Sequence, residues 1–170
     1  MKIVLLTHER ELSRPSNTGR LVNECLPELC RQVIWRRVEP CSELIQLQQA
    51  CLDGEALLLF PQNSDEQAAQ PEPNTEPKPA HCSSATADIL LIILDATWQE
   101  ARKMMRQSPY LQQAQRLSLS GEFHSSYQKR RNQIEGGLCT LECVEQVLLD
   151  AGMDQQASLL AKVFSQFNQV

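Results

Sequence analysis

The sequence predicts an α/β fold, a mostly parallel sheet flanked by helices, and three observations carry this prediction. Residues Ile89–Leu94 are six consecutive branched aliphatic residues, the pattern of a strand buried on both faces. Further apolar runs alternate with helical patterns along the chain, which favours parallel pairing through crossover helices. The length of 170 residues suits one domain with a substantial core.

The first half of the chain contains three apolar runs. Lys2–Thr7 has too short an apolar stretch for a signal peptide and is predicted as a first strand. A polar loop follows, in which Asn17 or Thr18 caps a short helix that runs through Leu26. The next predicted elements are a strand at Gln32–Arg36, a helix at Ser42–Leu52 that starts at its capping serine, and a strand at Ala56–Phe60 that Pro61 ends.

Residues 62–87 differ from the rest in composition. They contain four prolines and many Gln, Ser, Ala and Glu residues, with almost nothing to bury. This composition predicts a mobile insertion loop between two core strands of a single domain, residues 1–170. A functional lid is the alternative interpretation.

The second half continues the alternation of strands and helices. The pattern after Leu94 predicts a helix from Thr97 to Gln107, broken by Ser108 and Pro109. A short strand at Arg116–Leu119 and a polar connection follow. Two helices complete the predicted elements, one that Thr140 caps and that ends at Ala151-Gly152, and one that Asp154 caps and that buries Leu159, Leu160, Val163 and Phe167 on one face.

Charge and cysteine content limit the class of protein. The formal net charge is −5, but seven acidic residues and a single lysine lie between positions 53 and 88, and the remaining 14 acids and 15 bases nearly balance. The acidic total is therefore no argument against a nucleic-acid partner. No apolar run approaches the roughly 18 to 20 residues of a membrane span. Seven cysteines without a CxxC pair predict reduced thiols in a cytoplasm and no metal site.

The segment Asp95-Ala96-Thr97-Trp98 directly follows the aliphatic strand. In parallel sheets, ligands bind just beyond the carboxyl ends of the strands. A carboxylate, a hydroxyl and an indole at that position could supply a base, a hydrogen bond and a stacking face. Each also has a structural alternative, because Asp95 could cap the next helix and Trp98 could pack in the core.

Other polar clusters follow the predicted strands. His8 follows the first one and could be a ligand or catalytic residue, with a hydrogen-bonded structural histidine as the alternative. The segment Ser16-Asn17-Thr18-Gly19-Arg20 could present amide groups and a guanidinium to an anion, or be a helix cap followed by an exposed arginine. Arg102 and Arg106 share a helix face that would suit phosphates, with a solvated face as the alternative. The motifs of phosphate-binding loops, zinc proteases and serine hydrolases are absent from the sequence.

Four blocks taken together are more specific than any one of them. They occur in order over residues 5–150 and resemble the signature segments of the DTW-domain family, named for its Asp-x-Thr-Trp motif. The blocks are His8 with Arg14–Leu21, then Leu59-Phe60-Pro61, then Asp95–Trp98, and finally Tyr127 and Arg130 with Leu138–Glu142.

The resemblance implies a SPOUT-like fold with a carboxyl-terminal knot that holds S-adenosyl-L-methionine. The implied activity is transfer of the 3-amino-3-carboxypropyl group of this cofactor to N3 of a uridine in tRNA. On this interpretation Asp95 is the base, Thr97 a hydrogen-bond partner and Trp98 a stacking surface. The implied cofactor-binding residues are Leu59, Phe60, Pro61, Leu138, Thr140 and Glu142, and the implied RNA- or anion-binding residues are His8, Asn17, Thr18, Gly19, Arg20, Arg102, Arg106 and Arg130.

Two departures from the family pattern bear on function. The first predicted strand is not preceded by the cysteine cluster of many members, and the 62–87 insertion is long and acidic. The manner of binding tRNA and the identity of the target uridine therefore stay open. A methyltransferase acting on RNA with the same cofactor, and an RNA-binding module without catalysis, are the alternative functions.

Overall fold

The structure, a computed structural model, describes residues 1–61, 90–121, 123–129 and 137–169. Within these ranges five strands form one sheet in which every neighbouring pair is parallel, in the order β2-β1-β4-β3-β5. The predicted α/β class with a parallel sheet is therefore confirmed. The strands are β1 Lys2–His8, β2 Cys30–Trp35, β3 Ala56–Leu59, β4 Leu90–Asp95 and β5 Gln115–Leu117.

Six α-helices and one 3-10 turn, Glu9–Glu11, connect or follow these strands in the described ranges. None of these helices is both long enough and apolar enough to cross a membrane. The helices are α1 Gly19–Cys25, α2 Ser42–Leu52, α3 Trp98–Gln107, α4 Pro109–Gln113, α5 Thr140–Asp150 and α6 Asp154–Gln169.

The sheet separates two hydrophobic cores, because successive side chains of a strand point to opposite faces. On one face Val4, Leu6 and Ile92 pack with residues of α2, α3 and α4. On the other face Ile3 and Leu5 pack with residues of α1, α5 and α6. The molecule is therefore a three-layer α/β/α arrangement, and the two faces are called here the α3 side and the α5 side.

The central strands β1 and β4 run in register, with Thr7 opposite Asp95 at their carboxyl ends. Both strands are covered by helices on both faces, which explains the nearly unbroken apolar composition that the sequence shows there. Because all five strands are parallel, the polar segments that follow them lie at one edge of the sheet.

Several predicted boundaries and one helix face differ from the structure. Helix α4 was not predicted; Pro109 occupies its first turn, where the missing amide hydrogen costs nothing. Leu159 is exposed rather than buried, because α6 buries Ala157, Leu160 and Phe164 instead. The residues that cap α2 and α5 are Cys41 and Cys139, one position before the predicted Ser42 and Thr140.

Three expectations fall on the rest of the chain. The predicted insertion at 62–87 and the first residue of the predicted strand at 89–94 lie outside the described residues. The connection from β5 to α5, which the predicted knot involves, also includes positions outside them.

Candidate functional site at the carboxyl edge of the sheet

Asp95, the last residue of β4, is completely buried at the centre of this edge. Its Oδ1 atom accepts a hydrogen bond from Thr140 Oγ1 at 2.9 Å. Its Oδ2 atom accepts from Thr7 Oγ1 at 3.1 Å and from Asn17 Nδ2 at 3.0 Å. One carboxylate thus joins the end of β1, the loop that follows it and the start of α5 to the end of β4.

The donors to Asp95 are themselves held in orientation. Gln32 Nε2 donates to Thr7 Oγ1 at 3.1 Å, which directs the threonine proton toward the carboxylate. Asn17 Nδ2 also donates to the carbonyl of Glu11, and Asn17 Oδ1 accepts from the amide of Arg20 at the start of α1. Within the Asn17–Arg20 segment, the side chain of Asn17 thus donates to Asp95, and the amide of Arg20 donates to Asn17.

Helices α1 and α5 both begin beside the Asp95 carboxylate. A Cβ atom added at Gly19 would lie 2.6 Å from Cγ, Oδ1 and Oδ2 of Asp95, so only glycine allows α1 to approach this closely. The positive amino end of each helix favours a negative charge at that position. The surroundings thus compensate the buried charge, and a base role would require Asp95 to exchange one of its hydrogen bonds for substrate.

Thr97 forms a capping box at the start of α3. Its Oγ1 accepts from the amide of Glu100 and donates to Glu100 Oε2 at 2.7 Å, while its own amide donates to the same carboxylate at 3.1 Å. Both hydrogen-bonding functions of the predicted catalytic hydroxyl are therefore engaged within the helix start.

Glu100 continues this arrangement into the loop after β1. Its carboxylate pairs with Arg14, which also forms an ion pair with the buried Glu11. Burial by itself would raise the pKa of Glu100, but the hydrogen bonds from Thr97 and the charge of Arg14 outweigh it, so the pKa lies below its ordinary value. The ion pair thus ties the loop to the first turn of α3.

Trp98 lies on the α3 side of the edge and is half-buried. Its ring meets the ring of Phe60 edge to face, with 6.0 Å between centroids. The guanidinium of Arg116 lies 5.7 Å from the Phe60 centroid on a ring face. The predicted stacking residue and the Leu59-Phe60-Pro61 turn are therefore neighbours, and part of the indole stays open to solvent.

His8 is buried and stacks on Trp35 of the adjacent strand, with 5.3 Å between ring centroids. Its Nδ1 accepts a hydrogen bond from the amide of Arg10 at 3.3 Å. Burial lowers the pKa of His8 below its ordinary value, although the negative charges of Glu100 and Glu9 oppose the effect. A neutral, packed imidazole is therefore the form that this position favours.

The amino end of α5 is closed by its own chain rather than open to a ligand. Glu142 accepts from the amide of Cys139 at 2.8 Å, and Thr18 Oγ1 accepts from the amide of Leu141 at 3.4 Å. The Glu142 carboxylate also accepts from Ser125 Oγ at 2.6 Å and from the amide of Ser126 at 2.8 Å. Glu142 and Thr140, both implied to bind the cofactor, therefore direct their polar atoms into the protein.

Tyr127 holds the segment of Ser125 and Ser126 in position. Its hydroxyl donates a hydrogen bond to the carbonyl of Ser16, and its ring stacks on Phe167 near the end of α6. The segment thus bridges the loop after β1, the start of α5 and the last turns of α6.

An apolar strip of half-buried leucines lies on the α5 side of the same edge. It consists of Leu59, Leu117 and Leu119, which pack partly against the α5-side core. Leu138, also half-buried, precedes the cap of α5. Among the residues implied for the cofactor, Leu59, Pro61 and Leu138 are partly or largely exposed and could contact a ligand, whereas Phe60 is buried in the α3-side core.

The implied anion-binding residues divide into two groups. His8, Asn17, Thr18 and Gly19 are buried. Arg20 is exposed and lies 3.6 Å from Glu24 on α1, whereas Arg102 and Arg106 are exposed on α3. Arg130 lies outside the described residues.

Sequence reasoning did not assign Thr7, Gln32, Ser125 or Ser126 to the site. A hydroxyl that ends an otherwise apolar strand was the available signal for Thr7, since a buried hydroxyl needs a partner. The two serines carry no such signal, because their role depends on a chain crossing that only the fold provides.

Four of the described cysteines, Cys30, Cys51, Cys139 and Cys143, have thiols unsuited to nucleophilic chemistry. Burial raises the pKa of Cys139 and of Cys143 to about 12, and the nearby Glu142 charge adds to the effect. Burial likewise raises the pKa of Cys30 to about 12 and that of Cys51 to about 11. Among the described residues, no group of three or more His, Cys, Asp or Glu side chains is arranged to hold a metal ion.

These features define a three-layer α/β protein whose candidate site lies at the carboxyl edge of a parallel sheet, around a buried aspartate and a half-exposed tryptophan. The sequence model of the DTW domain matches residues 1–170, and the chain belongs to this family. The family membership expected from the four sequence blocks is thereby confirmed. No solved structure matches the chain.

Proposed function

We propose that this protein transfers the 3-amino-3-carboxypropyl group of S-adenosyl-L-methionine to N3 of a uridine in tRNA, in the cytoplasm. The observation that carries the proposal is the convergence of all four DTW blocks at one sheet edge. Asp95 bonds to Asn17 of the first block and to Thr140 of the last, and Trp98 contacts Phe60 of the second.

The apolar residues of this edge fit the cofactor. Leu59, Leu117, Leu119 and Leu138 are half-buried and offer the kind of surface that an adenine ring contacts in a binding site. When bound, the cofactor supplies a sulfonium that activates the γ-carbon of its methionine portion. The carbon that lies in line with the incoming nitrogen decides the product, so orientation by these residues sets the selectivity.

Trp98 is proposed to stack on the target uracil. Its indole is half-exposed and is held by Phe60, and base stacking on an aromatic ring is worth about 1–3 kcal/mol. The N3 atom belongs to the pairing edge of uracil, so the target uridine must be unpaired when it reaches the indole. Thr97 and Glu100 position Trp98, because their capping box fixes the first turn of α3, which Trp98 begins.

Asp95 is proposed to accept the N3 proton, with Thr140 as the hydrogen-bond donor that yields its place to the substrate. Thr140 Oγ1 is the donor to Oδ1 in the described residues, whereas Oδ2 accepts from both Thr7 and Asn17. A proton acceptor must come within hydrogen-bond reach of the proton it removes. Oδ1 is thus the atom assigned to the transfer.

The pair Asp95→Asn and Thr140→Val tests this assignment. Both changes disturb the same hydrogen bond, but only the first removes the carboxylate. We expect Asp95→Asn to abolish turnover while binding of S-adenosylmethionine, measured by calorimetry, survives. Thr140→Val is expected to retain measurable turnover. Turnover near wild type in Asp95→Asn, or equal losses of kcat in both variants, would contradict a base role.

We also propose that the carboxyl-terminal part of the chain forms the SPOUT-like knot. The first turn of α5 contacts Thr18 and Asp95. In the segment that precedes α5, Tyr127 donates a hydrogen bond to the carbonyl of Ser16, which lies in the loop after β1. These contacts support a path in which α5 begins inside the loop after β1. An experimental structure tracing residues 118–140 tests it; a connection passing wholly outside that loop would contradict the knot.

A further inference from the structure

Six exposed cations lie at or near the carboxyl edge of the sheet, and three of them belong to helix α3. They come from three segments, the 3-10 turn, the end of β2 and helix α3. We call them the cationic surface, and they are Arg10, Arg36, Arg37, Arg102, Lys103 and Arg106. Exposed acids in these segments and the start of α2 are Glu9, Glu39 and Glu43, so positive charge predominates.

Packing of buried residues brings the three segments together. Trp35, which directly precedes Arg36 and Arg37, stacks on His8 and donates from Nε1 to Ser108 Oγ at the end of α3, at 2.9 Å. The charges of both Arg10 and Lys103 act on His8. On α3 itself, Arg102 and Arg106 are one helical turn apart and share a face.

The cations of this surface differ from those elsewhere around the site. In the part of the chain that the structure describes, none of the six forms an ion pair. By contrast, Arg14 pairs with two carboxylates, and Arg20 pairs with Glu24 on the α5 side. Lys129, also on the α5 side, lies over the ring of Phe167 at 4.1 Å. Among these cations, those exposed without a carboxylate partner or an aromatic contact are thus the six of the cationic surface.

We propose that the cationic surface binds the phosphate backbone of the RNA, so that substrate and cofactor approach the edge from opposite faces of the sheet. This inference rests on the proposed function, since it assigns the RNA-binding side of the same site. Trp98 belongs to the α3 side, whereas the leucines of the apolar strip belong to the α5 side. RNA held on the cationic surface therefore reaches the indole of Trp98 without crossing the apolar strip.

A charge-reversal experiment with a matched control tests the inference. The variant Arg102→Glu/Arg106→Glu changes two cations of the surface. The control Arg31→Glu/Lys162→Glu makes the same change in net charge at two exposed positions, one at the start of β2 and one on α6. Binding of unmodified tRNA without S-adenosylmethionine is measured by fluorescence anisotropy at several salt concentrations.

We expect the α3 variant to raise the Kd for tRNA at least about tenfold and to reduce the salt-dependence slope by about 2, roughly one for each phosphate that the variant no longer neutralises. The control is expected to change the Kd less than about twofold. Equal weakening by both variants, or none by the α3 variant, would overturn the inference. Arg36→Glu/Arg37→Glu is expected to weaken binding as well, and wild-type affinity there would contradict the extension of the surface to β2.

Two further measurements keep this inference separate from the proposed function. Vesicles containing phosphatidylserine test a membrane partner; binding to vesicles that depends on Arg102 and Arg106, without binding of tRNA, would overturn the inference. The transfer assay is run on the same variants. If tRNA binding depends on the cationic surface but the wild-type protein transfers nothing, only the proposed function is contradicted. If the wild-type protein is active and the α3 variant binds tRNA as tightly as wild type does, only the role of the cationic surface is contradicted.

Discussion

At the scale of single residues, Asp95 organises the site. Its carboxylate is completely buried and accepts hydrogen bonds from side chains of three other segments. A carboxylate without water around it is stable only when donors and helix termini surround it, as they do here. Besides the proton transfer proposed for it, Asp95 fixes the positions of β1, α1 and α5.

Gly19→Ala tests the close approach of α1 to Asp95. In an ordinary helix this change stabilises by about 0.5–1 kcal/mol, because glycine loses more backbone entropy on folding. Here the new Cβ would lie 2.6 Å from the carboxylate. We expect a net destabilisation of about 1–3 kcal/mol from overpacking, measured by urea unfolding. Asn23→Ala on the same helix is the control for propensity, and a more stable Gly19→Ala protein would contradict the geometry.

His8 predicts a specific pH dependence of stability. Its folded pKa lies below the ordinary value, mainly because it is buried, so the unfolded chain binds the proton more tightly. The free energy of unfolding should therefore fall as the pH drops below about 6.5 and keep falling until the folded pKa is passed. Glu100, whose pKa is also lowered, loses its contribution only at more acidic pH, below about 4.5.

The variant His8→Gln separates these two contributions. Urea unfolding at about pH 7.5 and about pH 5.5 spans the imidazole range and stays above that of the carboxylates. The wild type should lose more stability between these two values than the variant does. Identical losses in both proteins would show that His8 is not the group responsible.

At the scale of elements, two helices at the edge begin with capping boxes. Helix α3 uses Thr97 and Glu100, and helix α5 uses Cys139 and Glu142. In each case the glutamate also reaches beyond its helix, to Arg14 or to Ser125 and Ser126. The caps therefore connect the helix starts to the loops, in addition to satisfying free amides.

Thr97→Val removes the hydroxyl of the α3 cap while keeping the size of the side chain. We expect a loss of about 0.5–2 kcal/mol in the free energy of unfolding. Thr97→Ser keeps the hydroxyl and should stay close to wild type. If the valine and serine variants were equally stable, the cap would not stabilise α3.

The elements show what sequence patterns can and cannot predict. The aliphatic runs predicted β1, β3 and β4 because burial on both faces leaves a strong pattern in the sequence. The face of α6 was partly mispredicted at Leu159, since its orientation depends on how it packs against α5 and against α1, which lies far away in sequence. Helix α4 was missed because five residues are too few for a periodic pattern.

At the scale of the whole molecule, the site too could be predicted only in part from the sequence. The order of the four DTW blocks identified the family, and the parallel pairing of the strands explains why the polar segments that follow them lie at one edge. The partners of Asp95 could not be predicted, because they depend on strand order and on which face each crossover covers. For the same reason, the sequence did not predict that Arg36 and Arg37 belong to the cationic surface, because their position depends on the pairing of β2 with β1.

The whole molecule also separates two surfaces at one edge. Half-buried leucines lie on the α5 side, and unpaired cations with a half-exposed indole lie on the α3 side. A transferase needs its donor and acceptor on converging but distinct surfaces, so that the reacting atoms meet in line. This division is the physical basis of the proposed reaction.

The most direct test of that reaction is product analysis with S-adenosylmethionine labelled separately in its methyl group and in its carboxyl carbon, incubated with the protein and unmodified tRNA. We expect the carboxyl label to enter a uridine substituted at N3 and methylthioadenosine to form in equal amount. Methyl label in the RNA with S-adenosylhomocysteine as by-product would contradict it in favour of a methyltransferase. No transfer of either label, with tRNA still bound, would contradict it in favour of an RNA-binding module.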